Sequence, residues 1–552
     1  MRAFTNIALF ALATLTSADL VDYKEHVGKG RGYKGHWKIP DHVLRKGATT
    51  VSNATFRQLI DHKRPELGTF EQAYWYSTEF WKGPGSPVVI TTPGEFNASG
   101  SAPFWLSNAS LPGAVAQEIG AATISIEHRY WGYSSPFSEL TTANLQYLTL
   151  ENSILDLTNF ANNVKLPFAH PRVSTNADAV PWVLIGGSYA GALTAWTESV
   201  APGTFWAYLA SSAVVEAVSD LWTYFVPVQE GMPKNCSSDV SNVIDYMDNV
   251  LVHGTAKEQY DLKAKFGMES LEHNDDFMAA LETAPWLWQY EQFYQESGFH
   301  QWCDYVENSV NQTNQALLPS AEGVGLVKAL DGFATWWKDV FFPGSCEILG
   351  YFKGKYTAEC YDSYNASNPV FTDMSMASTL DRQWQWMLCN EPFGYWQGGA
   401  PAGRPSIVSR LITPAYFQRQ CALYFPTGPN GETFNSARRT EADVNAYTGG
   451  WNHVNTSRLV FTNGQYDPWR EASVSAESRP GGPLKSTAGV PVNLVPGGIH
   501  CSDLIMANGA VNAGVAAVQK AEIRQIKDFV QEWPGSKKAK GYGPPPETYG
   551  GY

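Results

Sequence analysis

Two short runs in the first third of the chain, Val88 to Thr91 and Trp182 to Ile185, are apolar at nearly every position, and a third, Ala122 to Ile126, sets only the small Thr123 and Ser125 between apolar residues. A run of this length without alternation predicts a strand covered on both faces, because a strand with one wet face alternates apolar and polar residues. Segments of helical character separate the runs from Phe56 to about Pro202, the βαβ rhythm of a parallel sheet. The rhythm stops near Phe205. From there to Gly449 the chain is mixed in polarity, rich in Trp and Tyr and poor in clean strands, which predicts a largely helical insertion. Strand runs return at Arg458 to Phe461 and Val492 to Val495, and an amphipathic helix is expected over Val515 to Glu532. The expected organisation is an α/β domain in two parts, 51–204 and 450–533, around an insertion over 205–449.

The two ends of the chain have a different character. An apolar run from Ile7 to Leu15 follows Arg2 and gives way to the small residues Ser17 and Ala18, so residues 1–18 read as a cleaved signal peptide. The run is shorter than the roughly 18 to 20 apolar residues of a spanning helix. Residues 19–50, rich in Lys, Arg and Gly, read as a propeptide or flexible arm. Residues 534–552, rich in Gly, Pro and Lys, read as a disordered tail.

Composition narrows the setting. Seven N-glycosylation triplets, at Asn53, Asn97, Asn108, Asn235, Asn311, Asn365 and Asn455, join the leader in predicting a secreted glycoprotein, with a vacuolar or lysosome-like compartment as the alternative. The net charge of −14 argues against nucleic acid or an anionic membrane as partner. Seven cysteines with no CxxC pair, and eleven histidines with no HExxH, predict no metal site, and no cofactor is expected. In an oxidising compartment six cysteines are expected to pair as sequence neighbours, Cys236 with Cys303, Cys346 with Cys360 and Cys389 with Cys421, leaving Cys501 free beside His500.

The chemistry is concentrated at three places. Val183-Leu184-Ile185-Gly186-Gly187-Ser188-Tyr189-Ala190-Gly191 is an apolar strand run followed by a Gly-rich turn and a helix-compatible segment, the setting of a nucleophile elbow in an α/β-hydrolase fold. Gly186 and Ala190 flank Ser188 where the turn excludes larger side chains. A serine hydroxyl is a poor nucleophile without a base, which is itself oriented by an acid, and in this fold class the order is Ser, acid, His. Asp467 follows the strand run ending at Phe461, and His500 follows the run ending at Val495. All three leave the carboxyl ends of predicted strands, where open parallel sheets carry their sites. An oxyanion hole is expected from the Tyr189 amide and a second amide at Gly94 or Glu95, after the first strand run. Glu127 and Arg129 read as a buried bracing pair rather than reacting groups.

These residues resemble a serine peptidase family that comprises lysosomal Pro-Xaa carboxypeptidase, dipeptidyl peptidase II and the secreted acid prolyl endoproteases of filamentous fungi. The resemblance runs from about Phe56 to Glu532. It rests on Thr69-Phe70-Glu71-Gln72-Ala73-Tyr74-Trp75, Glu127-His128-Arg129-Tyr130-Trp131-Gly132, Leu145-Gln146-Tyr147-Leu148-Thr149 and the three motifs above. Gly498-Ile499-His500-Cys501-Ser502-Asp503-Leu504 is most similar to the fungal endoproteases; the lysosomal members carry a second His at the place of Cys501. The resemblance implies cleavage after proline in peptides or proteins, and a helical cap inserted between nucleophile and acid. It leaves endopeptidase, Pro-Xaa carboxypeptidase and dipeptidyl peptidase activities open, and a carboxylesterase could use the same triad. Tyr189 and Trp469 are the expected walls of an aromatic proline slot, with Trp384 and Trp386 as further candidates from the cap.

Overall fold

The computed structural model describes residues 50–92, 94–310, 318–376, 381–453 and 456–534. The expected leader, nearly all of the 19–50 arm, the tail from residue 535, and the triplets at Asn311 and Asn455 lie outside the described residues. The described residues form two compact units, one built from those within 50–218, 386–393 and 427–534, the other from those within 219–385 and 394–426.

The first unit carries an eight-stranded sheet. Its strands are β1 (Ser52–Leu59), β2 (Thr69–Ser77), β3 (Val88–Thr91), β4 (Ala122–Ile126), β5 (Trp182–Gly187), β6 (Ala207–Ser211), β7 (Leu459–Gly464) and β8 (Val492–Val495). The order is β1-β2-β4-β3-β5-β6-β7-β8. From β4 to β8 every pairing is parallel, and β1 and β2 add an antiparallel edge. The runs at Val88, Ala122, Trp182, Leu459 and Val492 are all strands; the first four are buried along almost their whole length, whereas β8, at the sheet edge, exposes Leu494. β6 was not expected; it lies inside the stretch read as insertion, so the sheet continues past residue 204 before the chain leaves it. Its sequence, Ala-Tyr-Leu-Ala-Ser, is too short and too small in side chain to stand out, yet every residue of it is buried.

Helices cover both faces of this sheet, as parallel strands demand. Side chains alternate across each strand. Val89, Val183, Ile185, Leu209 and Val460 therefore form one core with Leu111 and Val115 of α1 (Leu111–Ile119) and Ile526 and Phe529 of the C-terminal helix. On the opposite face Trp182 meets Phe160 of α2 (Leu150–Asn163), ring centroids 6.2 Å apart. Helix α3 (Ser188–Val200) packs on β5 and β6. The C-terminal helix α4 (Ala513–Gln531) begins where Asn512 caps the Gly514 and Val515 amides, at 2.9 and 3.1 Å.

The second unit is largely helical, with long helices over Lys234–His253, Ala256–Lys265, Leu326–Trp336 and Pro414–Tyr424. The aromatic richness of this stretch goes into its core: Trp302 meets Phe333 at 5.3 Å, and Phe266 meets Phe277 at 5.5 Å. Disulfides join Cys236 to Cys303 and Cys346 to Cys360, Cys389 and Cys421 are also half-cystines, and Cys501 is a free thiol.

Candidate active site

Ser188 sits at the first position of α3, directly after β5, with φ at +58°. A β-substituted residue in the left-handed region costs about 1–3 kcal/mol, so its neighbours must enforce it. They do so by being small. A methyl on Gly186 would lie 2.1 Å from Ala190 O, and one on Gly191 would lie 2.5 Å from Ser211 O. The turn thus stays tight, and Ser188 keeps 7% exposure at the end of the sheet. Gly187 has a separate reason to be small, since a methyl there would lie 3.0 Å from Cys501 Sγ and 2.5 Å from Leu504 Cδ1. The serine turn is therefore packed directly on the turn that carries His500.

Asp467 lies in the loop after β7 and is fully buried. Its Oδ1 accepts from the Trp469 amide at 3.0 Å, capping the short helix Pro468–Ala472 and fixing the carboxylate. The same oxygen lies 2.9 Å from His500 Nδ1. A carboxylate only accepts, so Nδ1 carries the proton and Nε2 is the basic nitrogen. Burial disfavours the imidazolium, but the Cys501 sulfur and the Asp467 carboxylate beside the ring outweigh it and hold His500 well above the usual imidazole range. Ser188, Asp467 and His500, spread over more than 300 residues, thus follow the carboxyl ends of β5, β7 and β8.

The loop after β3 also reaches the elbow. Gly94, with φ at +87°, stands beside Ala190: a methyl on it would lie 3.5 Å from Ala190 Cβ and 3.8 Å from Ala190 N. Its own amide donates to Thr92 Oγ1 at 3.3 Å, and Glu95 beside it is buried. Of the expected slot aromatics, Tyr189 is on the elbow and Trp469 faces His500 at a centroid distance of 6.4 Å. Trp386 is fully buried and donates its indole N–H to Leu148 O at 3.0 Å, and Trp384, 2% exposed, belongs to the helical unit.

Two features were not foreseen. His128 Nδ1 lies 2.9 Å from Arg129 O and so carries the proton; its Nε2, at 3.1 Å, then accepts from Tyr189 Oη. Burial pulls His128 down to about 4, so it stays neutral and keeps this acceptor for the residue next to Ser188. The only hint was its place in the Glu127–Gly132 motif. Glu127 and Arg129 do brace the region, but not as a pair. Glu127 accepts from the Ala98 and Tyr133 amides and from Ser134 Oγ. Arg129 grips Asp156 with two nitrogens, at 2.6 and 2.7 Å, and donates to three backbone carbonyls of the β1 end and the 147 turn.

Comparison with known proteins now decides the identity, because the chain matches the family described as Serine carboxypeptidase S28 over residues 58–522. It belongs to the S28 serine carboxypeptidase family. It is 39% identical over 90% of its length to the serine protease vicPa of Bipolaris victoriae, 92% of which is covered. The chain is 29% identical to a protein of Arthroderma benhamiae named as a probable extracellular serine carboxypeptidase, over 84% of this chain and 64% of that one. To the mouse thymus-specific serine protease it is 24% identical over 84% of each chain. As an S28 member the protein is a serine-type peptidase on an α/β-hydrolase fold, and the mostly parallel sheet is the framework that fold requires. Among the described residues no helix is long and apolar enough to cross a membrane.

Proposed function

We propose that this S28 peptidase is a secreted endoprotease that cuts on the carboxyl side of proline through an acyl-enzyme on Ser188. The observation that carries the reading is the Asp467–His500 hydrogen bond lying against a strained serine turn. His500 Nε2 takes the Ser188 proton as Oγ attacks the carbonyl, then returns it to the leaving amine; water repeats the sequence to release the acid. Asp467 holds the ring in the Nδ1–H tautomer and favours the imidazolium as it forms. The Tyr189 amide, at the first turn of α3, and an amide from Gly94 or Glu95 receive the oxyanion.

Preference for proline rests on the resemblance and on Trp469, whose ring is fixed beside His500 by the Asp467 cap. A rigid pyrrolidine loses little conformational freedom against a flat aromatic wall. The endoprotease mode is supported by the segment Gly498–Leu504, which follows the fungal endoproteases where the lysosomal members differ. Secretion is supported by the leader, by the extracellular relative, and by the exposure of Asn53, Asn97 and Asn365, with Asn108 and Asn235 partly exposed.

Mass spectrometry of products from a long peptide with several internal prolines tests this reading. Internal fragments ending in proline are expected. Release of one terminal residue or of N-terminal dipeptides alone would replace the endoprotease mode by an exopeptidase one, and cuts indifferent to proline would remove the specificity.

A further inference from the structure

The turn that bears His500 rests on a buried pair of carboxyl groups that the chemistry does not use. Asp503, three residues after His500, and Glu522, in the middle of α4, are both fully buried and face each other. Each is anchored by one hydroxyl from the sheet: Ser211 Oγ of β6 donates to Asp503 Oδ1 at 2.7 Å, and Thr462 Oγ1 of β7 donates to Glu522 Oε1 at 2.5 Å. Their other oxygens, Asp503 Oδ2 and Glu522 Oε2, are buried and receive no hydrogen bond among the described residues. No Lys, Arg or His is bonded to either carboxyl among the described residues.

The surroundings sharpen the conflict. From the β7 loop the charged group facing Asp503 is Asp467, which repels it. On α4 the neighbour one turn back is Gln519, whose amide donates to Asp503 O and Ile505 O, while Lys520 and Arg524 are exposed. The Lys527–Glu118 ion pair, between α4 and α1, lies at the surface. β8 contributes only the neutral Asn493, which donates to Thr462 Oγ1 at 3.3 Å. Two adjacent buried carboxylates without a cation cannot both ionise cheaply, whereas one proton between them supplies the missing donor and removes a charge.

We propose that Asp503 and Glu522 share a proton, and that this proton holds the His500 turn in its working position. The mechanical path is short. Asp503 is tied to β6, Cys501 N donates to Ser212 Oγ at 2.9 Å, and Ser211 O lies against Gly191 of the serine elbow. Loss of the proton puts two like charges under the turn and presses Asp503 away from the strand that also supports Ser188. The pair makes Asp503 and Glu522 positioning residues, acting through His500. Consistent with this, burial pushes both carboxyls up, Asp503 to about 6 and Glu522 well above the ordinary value.

The test compares wild type with Glu522→Gln, which keeps the shape and supplies a permanent donor. Melting temperature against pH does not depend on the proposed specificity. A carboxyl raised in the folded state contributes stability that is full below its unfolded value and fades as pH rises toward the folded one. Wild type should therefore lose melting temperature from about pH 4.5 upward more steeply than Glu522→Gln. In parallel, the alkaline fall of kcat/KM on any substrate that wild type cleaves should move to higher pH in the variant, with the acid limb in place. Curves that superimpose in both measurements would overturn the proposal, whatever the substrate preference proves to be. If Glu522→Gln is not recovered folded, Asp503→Asn is read by the same two curves.

Discussion

His500 Nδ1 lies 2.9 Å from Asp467 Oδ1, and this bond joins the loops leaving two adjacent parallel strands, β7 and β8. It fixes which nitrogen of the imidazole is basic and raises its affinity for a proton. Replacing Asp467 by Asn should lower kcat by a factor on the order of 10³–10⁴, because the amide no longer selects the Nδ1–H tautomer. His500 loses the carboxylate that holds it up, so the acid limb of kcat/KM should move to lower pH. Stability responds too: the raised imidazole contributes most below about pH 6.5 and its contribution fades as pH rises through the folded value, so the variant should be most destabilised in acid. Residual pH–rate and pH–melting profiles check both signs.

Ser188→Ala should reduce peptidase activity by about a thousandfold or more while the protein still folds, since Gly186, Gly191 and the strand ends set the elbow rather than the hydroxyl. A fluorophosphonate probe should label Ser188 in wild type and nothing in the variant. Normal turnover in the variant would displace Ser188 as nucleophile.

Trp469→Ala should lower kcat/KM for a blocked Pro-anilide by about 1–3 kcal/mol equivalent, the range of an apolar pocket contact. A small activated ester, which does not fill the slot, should be affected much less. Equal losses on both substrates would show that Trp469 supports His500 rather than proline.

Arg129→Met leaves Asp156 buried with His62, at 2.8 Å, as its one ionic partner among the described residues, and takes a donor from the Leu59, Ile60 and Tyr147 carbonyls. The expected loss of unfolding free energy is about 3–5 kcal/mol, read by urea denaturation. Changing Asp156 to Leu in the same chain should recover part of it, because the cost comes from the orphaned charge and not from the missing contact alone.

Burial on both faces of a parallel strand is recorded in consecutive residues, which is why β3, β5 and β7 were legible, while β-branched residues marked β4 and β8. The elbow was legible for a similarly local reason: Gly186, Ser188, Ala190 and Gly191 must be small to make one turn. Chain order then pointed to Asp467 and His500. β6 escaped because its five residues mix Tyr, Ser and Ala, and only neighbours on both sides make them core. The Arg129–Asp156 grip, the His128–Tyr189 bond and the Asp503–Glu522 contact escaped because each joins polar residues far apart in the chain. Nothing local to Glu522 announces a partner; it merely interrupts the buried stripe of Val515, Gln519, Ile526 and Phe529. Helix and strand periods are properties of adjacent residues, so sequence determines them. Which buried polar groups meet depends on strand register and on where a helix lands on the sheet, and the tertiary structure alone decides that.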